Sequence, residues 1–262
     1  MNLHATHLDN GGIIKEYATI PIYRTGVGNN SYSGSPFKFN SGYSQSGPMY
    51  LFHNTCDAVL AGNNGLYIKA PGSWSLIFSR NNVWVGTAYV IENYNALQPV
   101  DFDYDNLWRE TSGSLVRWDN VNYASLAAFT AAVGHEVHGK SANPGFCDPA
   151  NGDYALKPDS QLIDAGVVIP GINDTRFSGS YPDMGAYEFG ATCPDCSGDE
   201  VVLTNTSFPP NKTCECIGSI SITIGSGVTV PKNATVIFEA PIITIQPGFH
   251  AETGAKVSIR KE

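Results

Sequence analysis

The chain reads as an all-β protein whose short strands pile into stacked coils, and three observations predict this. Charged residues are only 15 % of the 262 and Gly reaches 27, a mixture that favours turns and strands over helices. One short phrase is stated three times: Pro48-Met-Tyr-Leu-Phe-His-Asn-Thr55, Trp74-Ser-Leu-Ile-Phe-Ser-Arg-Asn-Asn-Val-Trp84 and Val100-Asp-Phe-Asp-Tyr-Asp-Asn-Leu-Trp108. Each runs apolar or alternating, then Asn, then apolar again, and Phe52, Phe78 and Phe102 recur at intervals of 26 and 24 residues. Self-similarity at a period of roughly 20–50 residues is the mark of a solenoid.

Residues 1–47 hold apolar snippets between Gly, Asn and Ser clusters, read as partial rungs with an excursion at 26–48. Residues 49–108 are the clearest stack, with strands expected at 49–54, 66–69, 75–79, 83–85, 88–92 and 100–104. Gly62-Asn-Asn-Gly65, Pro71-Gly72 and Asn81-Asn82 supply the turns. Leu51, Ile68, Ile77, Val83, Val90 and Phe102 are expected to face inward. Asn54, Asn82 and Asn106 suit an internal amide ladder, each satisfying backbone groups at a corner that stacking has dried out; ordinary turn asparagines are the alternative. Residues 123–133 form the one helical pattern, with Leu126, Phe129 and Val133 on one face, Ser125 as cap and Gly134 as stop. That helix is placed outside the coils or over an open edge.

Residues 141–190 carry Phe146-x-Asp-Pro-x-x-Gly-Asp-Tyr-x-Leu156, Ile163-Asp-Ala-Gly166 and Asp183-Met-Gly-Ala-Tyr-Glu188. Together with the strand–Asn–coil stack and the short helix, these phrases resemble the C-terminal half of bacterial right-handed parallel β-helix repeat proteins of the pectate-lyase-like superfold. The resemblance covers roughly residues 1–190 and implies a right-handed parallel β-helix there. Asp164, Asp183 and Glu188, beside Gly166 and Gly185, are expected to accept backbone N–H groups in tight turns.

Residues 191–200 read as a Cys/Pro/Gly linker and 201–262 as a small β module, with alternating runs such as Ser219-Ile-Ser-Ile-Thr-Ile224 at a spacing near ten residues. Gln246-Pro-Gly-Phe-His-Ala-Glu-Thr-Gly-Ala255 resembles the repeat module that ends many secreted proteins of the Bacteroidetes type, sometimes called a coat-hanger stack. That resemblance implies an accessory or surface-display role.

The formal net charge of −9 argues against nucleic acid, whose phosphates need clustered Lys and Arg. No run of about 18 apolar residues spans a membrane. Met1–Asn10 lacks the basic and apolar regions of a signal peptide and reads like the middle of a coil. The chain is therefore expected to be part of a longer protein, without its first coils. Six cysteines suit disulfides in an exported protein. The pairs Cys193-Pro-Asp-Cys196 and Cys214-Glu-Cys216 are close to a zinc spacing as well, so disulfide, zinc and free thiol all stay open.

For chemistry, Asp101-x-Asp103-x-Asp105 is the densest cluster. Alternate strand residues share a face, so the three carboxylates could hold Ca2+ or serve as an acid pair; a solvated strand face is the plain alternative. His135-Glu-Val-His138 lacks the i, i+4 spacing of a zincin. Lys38, Lys69, Arg80 and Arg109 lie nearest the stack, and Trp84 and Trp108 offer rings for sugar stacking. Lys69, Arg80, Trp84 and Trp108 are thus the candidate substrate-binding residues, and Asp101, Asp103 and Asp105 the candidate metal ligands. The Gly-His-Gly phrase of the superfold's hydrolases and the Trp-Ile-Asp-His and Arg-x-Pro-x-x-Arg phrases of pectate lyases are absent. The expected function is a secreted or cell-surface, monomeric module that binds or helps process polysaccharide. The alternative is the C-terminal part of a calcium-assisted lyase acting by β-elimination.

Overall fold

The computed structural model describes residues 37–39, 49–58, 62–68, 76–94, 99–151, 153–170, 172–173, 177–209, 212–231 and 233–261. The expectations for residues 1–36 and 40–48, for Lys69 and for Trp74 lie outside them. The fold is all-β and built as a parallel β-solenoid. Its strands are β1 (Phe37–Phe39), β2 (Met49–Phe52), β3 (Thr55–Asp57), β4 (Leu66–Ile68), β5 (Ile77–Arg80), β6 (Val83–Gly86), β7 (Ile91–Asn93), β8 (Val100–Phe102), β9 (Asn106–Arg109) and β10 (Val116–Trp118). Every third strand stacks in parallel: β2-β5-β8, β3-β6-β9 and β1-β4-β7-β10 form the three walls of one column.

Strands of three or four residues cannot bury a face alone, but stacking buries it continuously. Leu51, Ile68, Ile77, Val90 and Phe102 line the inside as expected, together with Trp84, Leu107 and Val116. Val83 is also buried, but on the outer side of its wall. The phenylalanine period misleads, because Phe52 lies opposite Arg80, Phe78 opposite Tyr50 and Phe102 opposite Ser79. The strand expected over 49–54 stops at Phe52, because His53 takes a left-handed φ of 51° and turns the corner. Asn81 (59°) and Tyr104 (57°) repeat that turn in the next two coils.

After β10 the chain doubles back in β11 (Val121–Tyr123), the one antiparallel partner in that wall. It then enters α1 (Leu126–Val133), whose Ser125 side chain accepts from the Ala128 N–H and whose Gly134 leaves it at φ 83°. Phe129 is fully buried against Trp118 and Tyr123, at ring-centroid distances of 5.3 and 5.6 Å, so the helix covers the interior of the last coil.

The tail phrases form a blanket over the outside of the β3-β6-β9 wall. β12 (Phe146–Asp148) and β13 (Asp153–Leu156) make a hairpin. Phe146, Tyr154, Leu156, Leu162, Met184 and Tyr187 pack there on Val83 and Val85. Gly185, at φ 109°, passes so close that a Cβ would stand 2.9 Å from Thr55 Oγ1 and 3.1 Å from Val83, which only glycine allows.

A second stack follows: β14 (Ser197–Leu203), β15 (Thr213–Ile224), β16 (Thr229–Val230), β17 (Thr235–Glu239), β18 (Ile242–Ile245), β19 (His250–Ala251) and β20 (Lys256–Arg260). All their pairings are parallel, and Thr213, Thr235 and Lys256 fall in one row. The ten-residue spacing read from the sequence is therefore about half a turn. β14 begins inside the stretch read as linker. Cys193–Cys214 and Cys196–Cys216 disulfides tie that stretch to β15, which leaves no thiol there for zinc. Ile222, Ile224, Val236 and Phe238 form a core of their own.

Candidate functional site

The corner between the first two walls is lined by a polar ladder. The backbone N–H and the Nδ2 of Asn54 both donate to Asn82 Oδ1 at 2.8 Å. Asn82 donates in turn to Asp105 Oδ1, at 2.8 Å from its backbone N–H and 2.9 Å from its Nδ2. The third rung is thus Asp105 and not Asn106, which instead exchanges two 3.0 Å bonds with the backbone of Ala142. Ser79 Oγ and, at 3.4 Å, Trp84 Nε1 donate to Asp105 Oδ2. Four donors converge on its two oxygens, and these bonds favour the ionised form. Burial raises this carboxyl to about 6 against the pull of those bonds. The Asp105 N–H passes to Glu136 Oε2 at 3.1 Å. Burial first, and then the Asp105 charge, push Glu136 well above the usual carboxylate range.

The candidate metal ligands go separate ways. Asp101 accepts from Arg80 Nη2 at 2.7 Å. Asp103 faces His138 Nδ1 at 2.7 Å and accepts the His138 N–H. Burial raises Asp103, but the His138 bonds outweigh it and the net shift is downward. Asp105 is in the ladder, its oxygens taken by hydrogen donors. Among the described residues no three His, Cys, Asp or Glu side chains group closely enough to hold a metal ion.

The candidate binding residues also divide. Trp84 is fully buried inside the column, so its ring offers no stacking platform: the alternation of β6 puts it on the inner face. Trp108 is half-buried under the tail and donates to Glu110 Oε1 at 2.9 Å. Arg80 lies on the outer face of the β2-β5-β8 wall, 4.1 Å over the Phe78 ring. Arg80 and Trp108 thus lie on the outer sides of their walls, both partly buried and both engaged with neighbouring side chains.

A more coherent group lies on the outer face of the β4-β7-β10 wall. Tyr67, Glu92 and Arg117 stand on successive strands in one row. Their neighbours Leu66, Ile68, Ile91 and Val116 point inward and are fully buried. Arg117 Nη1 donates to Glu92 Oε1 at 3.2 Å and to the Tyr94 hydroxyl at 2.7 Å, and Nη2 to Asn120 Oδ1 at 3.2 Å. Its guanidinium lies 4.8 Å from the Tyr94 ring centroid, and Tyr94 meets Tyr67 edge to face at 5.9 Å. Asn64 Nδ2 donates to the other Glu92 oxygen at 2.5 Å. Burial and then the Glu92 charge raise Tyr67 to about 12.

His53 pins the tail. Its Nε2 accepts from Asn81 Nδ2 at 3.1 Å and Asn173 Nδ2 at 2.7 Å. Burial lowers this imidazole to about 4, partly offset by hydrogen bonds with the Gly185 and Asp183 backbone. Asn81 also clamps Val167 through both amide atoms, each at 2.8 Å. The tail carboxylates behave as expected. Asp164 accepts from Ser180 and Tyr181, Asp183 from Asp164 and Phe189, and Glu188 from Asp183, all backbone N–H donors. Among the described residues no helix is long and apolar enough to cross a membrane, and the two disulfides are compatible with an extracellular protein. Comparison with family models, with curated proteins and with solved structures returns no match, so the fold and these side-chain arrangements alone carry the functional reading.

Proposed function

We propose that the chain is an exported or cell-surface module that binds polysaccharide, with the first column as the ligand-bearing part and the second stack as an accessory. The observation that carries this reading is the outward group of Tyr67, Tyr94 and Arg117, braced from beneath by the buried Glu92 and Asn64. Aromatic faces beside fixed donors and acceptors are what sugar rings require, one for the C–H surface and the other for the hydroxyls. The long flat wall of a solenoid suits an extended polymer better than a small molecule. No catalytic role is assigned to these residues.

The test is retention of the purified protein on a panel of insoluble and soluble polysaccharides, with ultraviolet absorbance followed for unsaturated product. Retention on at least one polymer without product supports a binding module. Product formation replaces it with a lyase, and no retention on any polymer removes the reading.

A further inference from the structure

We infer that the Tyr67–Glu92–Arg117 row is a strip for a single, extended, uncharged glycan chain that runs along the column axis, crossing the strands. This rests on the polysaccharide reading above and adds the ligand's charge, direction and length.

The direction follows from register. Residues Tyr67, Glu92, Arg117 and Asn122 lie opposite one another on four adjacent strands, β4, β7, β10 and β11. Adjacent strands are ~4.8 Å apart, so the row is about 14 Å long. That step is close to the advance per sugar of an extended glycan, so one ring falls over each strand and about four rings over the row. Along the strands there is no such run, since each wall strand offers three or four residues.

The charge class follows from the ion pair. Arg117 and Glu92 cancel one another at 3.2 Å, and the chain around them carries a net charge of −9. Among the described residues, a uronate or sulfate group at this row would meet an Arg117 already neutralised by Glu92, with no further cation in the row to offset it. Neighbouring hydroxyls meet the Arg117 guanidinium and the exposed amides of Asn120 and Asn122 instead, with the buried Glu92 beneath them. Neither side chain has to be ordered on binding: Glu92 is fixed by Asn64, and Arg117 by Glu92, Tyr94 and Asn120. Such preorganisation lowers the entropy cost of association. Tyr94, 36 % exposed, gives the ring on which a sugar stacks, and exposed Asn120 and Asn122 continue the polar edge.

The experiment is affinity electrophoresis in gels containing either neutral polymers (glucan, xylan, mannan, galactan) or uronate polymers (polygalacturonate, alginate). The wild-type chain, Tyr94→Ala and Arg117→Met are compared, with far-UV circular dichroism as the fold control. Retardation by at least one neutral polymer and by no uronate polymer is expected, and 0.5 M NaCl should leave it in place. Tyr94→Ala should weaken it tenfold or more, and affinity for oligomers should level off near four sugars. Because Arg117→Met also frees the Glu92 charge, its loss of binding should match or exceed that of Tyr94→Ala. If a uronate polymer binds, or Tyr94→Ala binds a neutral polymer like the wild type, this strip is not the site although the polysaccharide reading stands. If no polymer binds, both fall. If both variants unfold, the wild-type comparison of neutral with uronate polymers still decides the charge class.

Discussion

Asn82 stands to Asp105 as Asn54 stands to Asn82: in each case a backbone N–H and an Nδ2 converge on one Oδ1 of the residue a coil further on. A carboxylate therefore completes an amide ladder. It is held there by two further donors that an amide's NH2 group would confront.

Asp105→Asn tests that distinction. Its Nδ2 would face either the Asn82 donors or Ser79 and Trp84, leaving buried donors unpaired at a cost of about 1–3 kcal/mol. Asn82→Ala removes bonds on both sides and should cost at least as much. Urea unfolding should show both losses, with Asn82→Ala no milder than Asp105→Asn. An Asp105→Asn variant as stable as the wild type would mean that the carboxylate is not needed.

Stability should decline from mildly acidic to mildly alkaline pH. Burial raises Asp57, Asp105 and Asp183 to about 6 and Glu188 to about 8, and it raises Glu136 as well. For a raised acid the folded state holds its proton longer than the unfolded chain does. Its contribution is full below the unfolded value near 4 and is lost as pH rises through the folded value. His53 works in the opposite sense: lowered to about 4 from 6.5, it withdraws stability as pH falls below 6.5. The two trends place the optimum near pH 5–6, and differential scanning calorimetry should give a higher melting temperature at pH 5.5 than at pH 8. A rise over that interval would contradict the burial of these carboxyls.

The two disulfides close loops of 20 and 21 residues, each worth about 3 kcal/mol by loop entropy. Reduction, or replacement of all four cysteines by Ser, should unfold the second stack at a lower temperature. The signal of Trp84 and Trp118, both buried in the first column, should move little. Equal loss in both regions would show that the two stacks unfold as one unit.

Gly185→Ala should loosen the tail. A methyl group there meets Thr55 and Val83 at about 3 Å, and the left-handed φ adds backbone strain of about 1–3 kcal/mol. The expected readouts are faster amide exchange at Ala186 and Val167, whose N–H groups bond to Thr55 and Asn81, and a lower melting temperature. Unchanged exchange at both amides would argue that the blanket does not depend on that close approach.

The stacked architecture was legible because strands, turns and inward residues repeat with recognisable letters: Asn54 and Asn82 both belong to the ladder, and five of the six residues expected inside the column are there. The ladder's third member was not, since Asp105 replaces the amide and Asn106 beside it looks like the continuation. Trp84 is both a candidate stacking ring and a candidate packing residue in the sequence, because a tryptophan's face depends on strand phase, which one residue of slip reverses. The Tyr67–Glu92–Arg117 row was missed although its members are spaced 25 residues apart. An aromatic, an acid and a base share no letter, so spacing alone was the signal. The second stack hid its turn length for a related reason: each turn holds several short runs, and the eye counts runs.

The blanket over the β3-β6-β9 wall has a consequence for the order of assembly. Its anchoring bonds join residues 86, 120 and 131 positions apart, whereas paired strands of the column join residues 23 to 29 apart. Closing so long a loop is entropically unfavourable until its landing surface exists. The tail must therefore settle last, onto a column already wound. A nascent chain released before residue 146 would leave Val83 and Val85 bare, and it is at that moment, rather than in the finished protein, that it is most prone to aggregate.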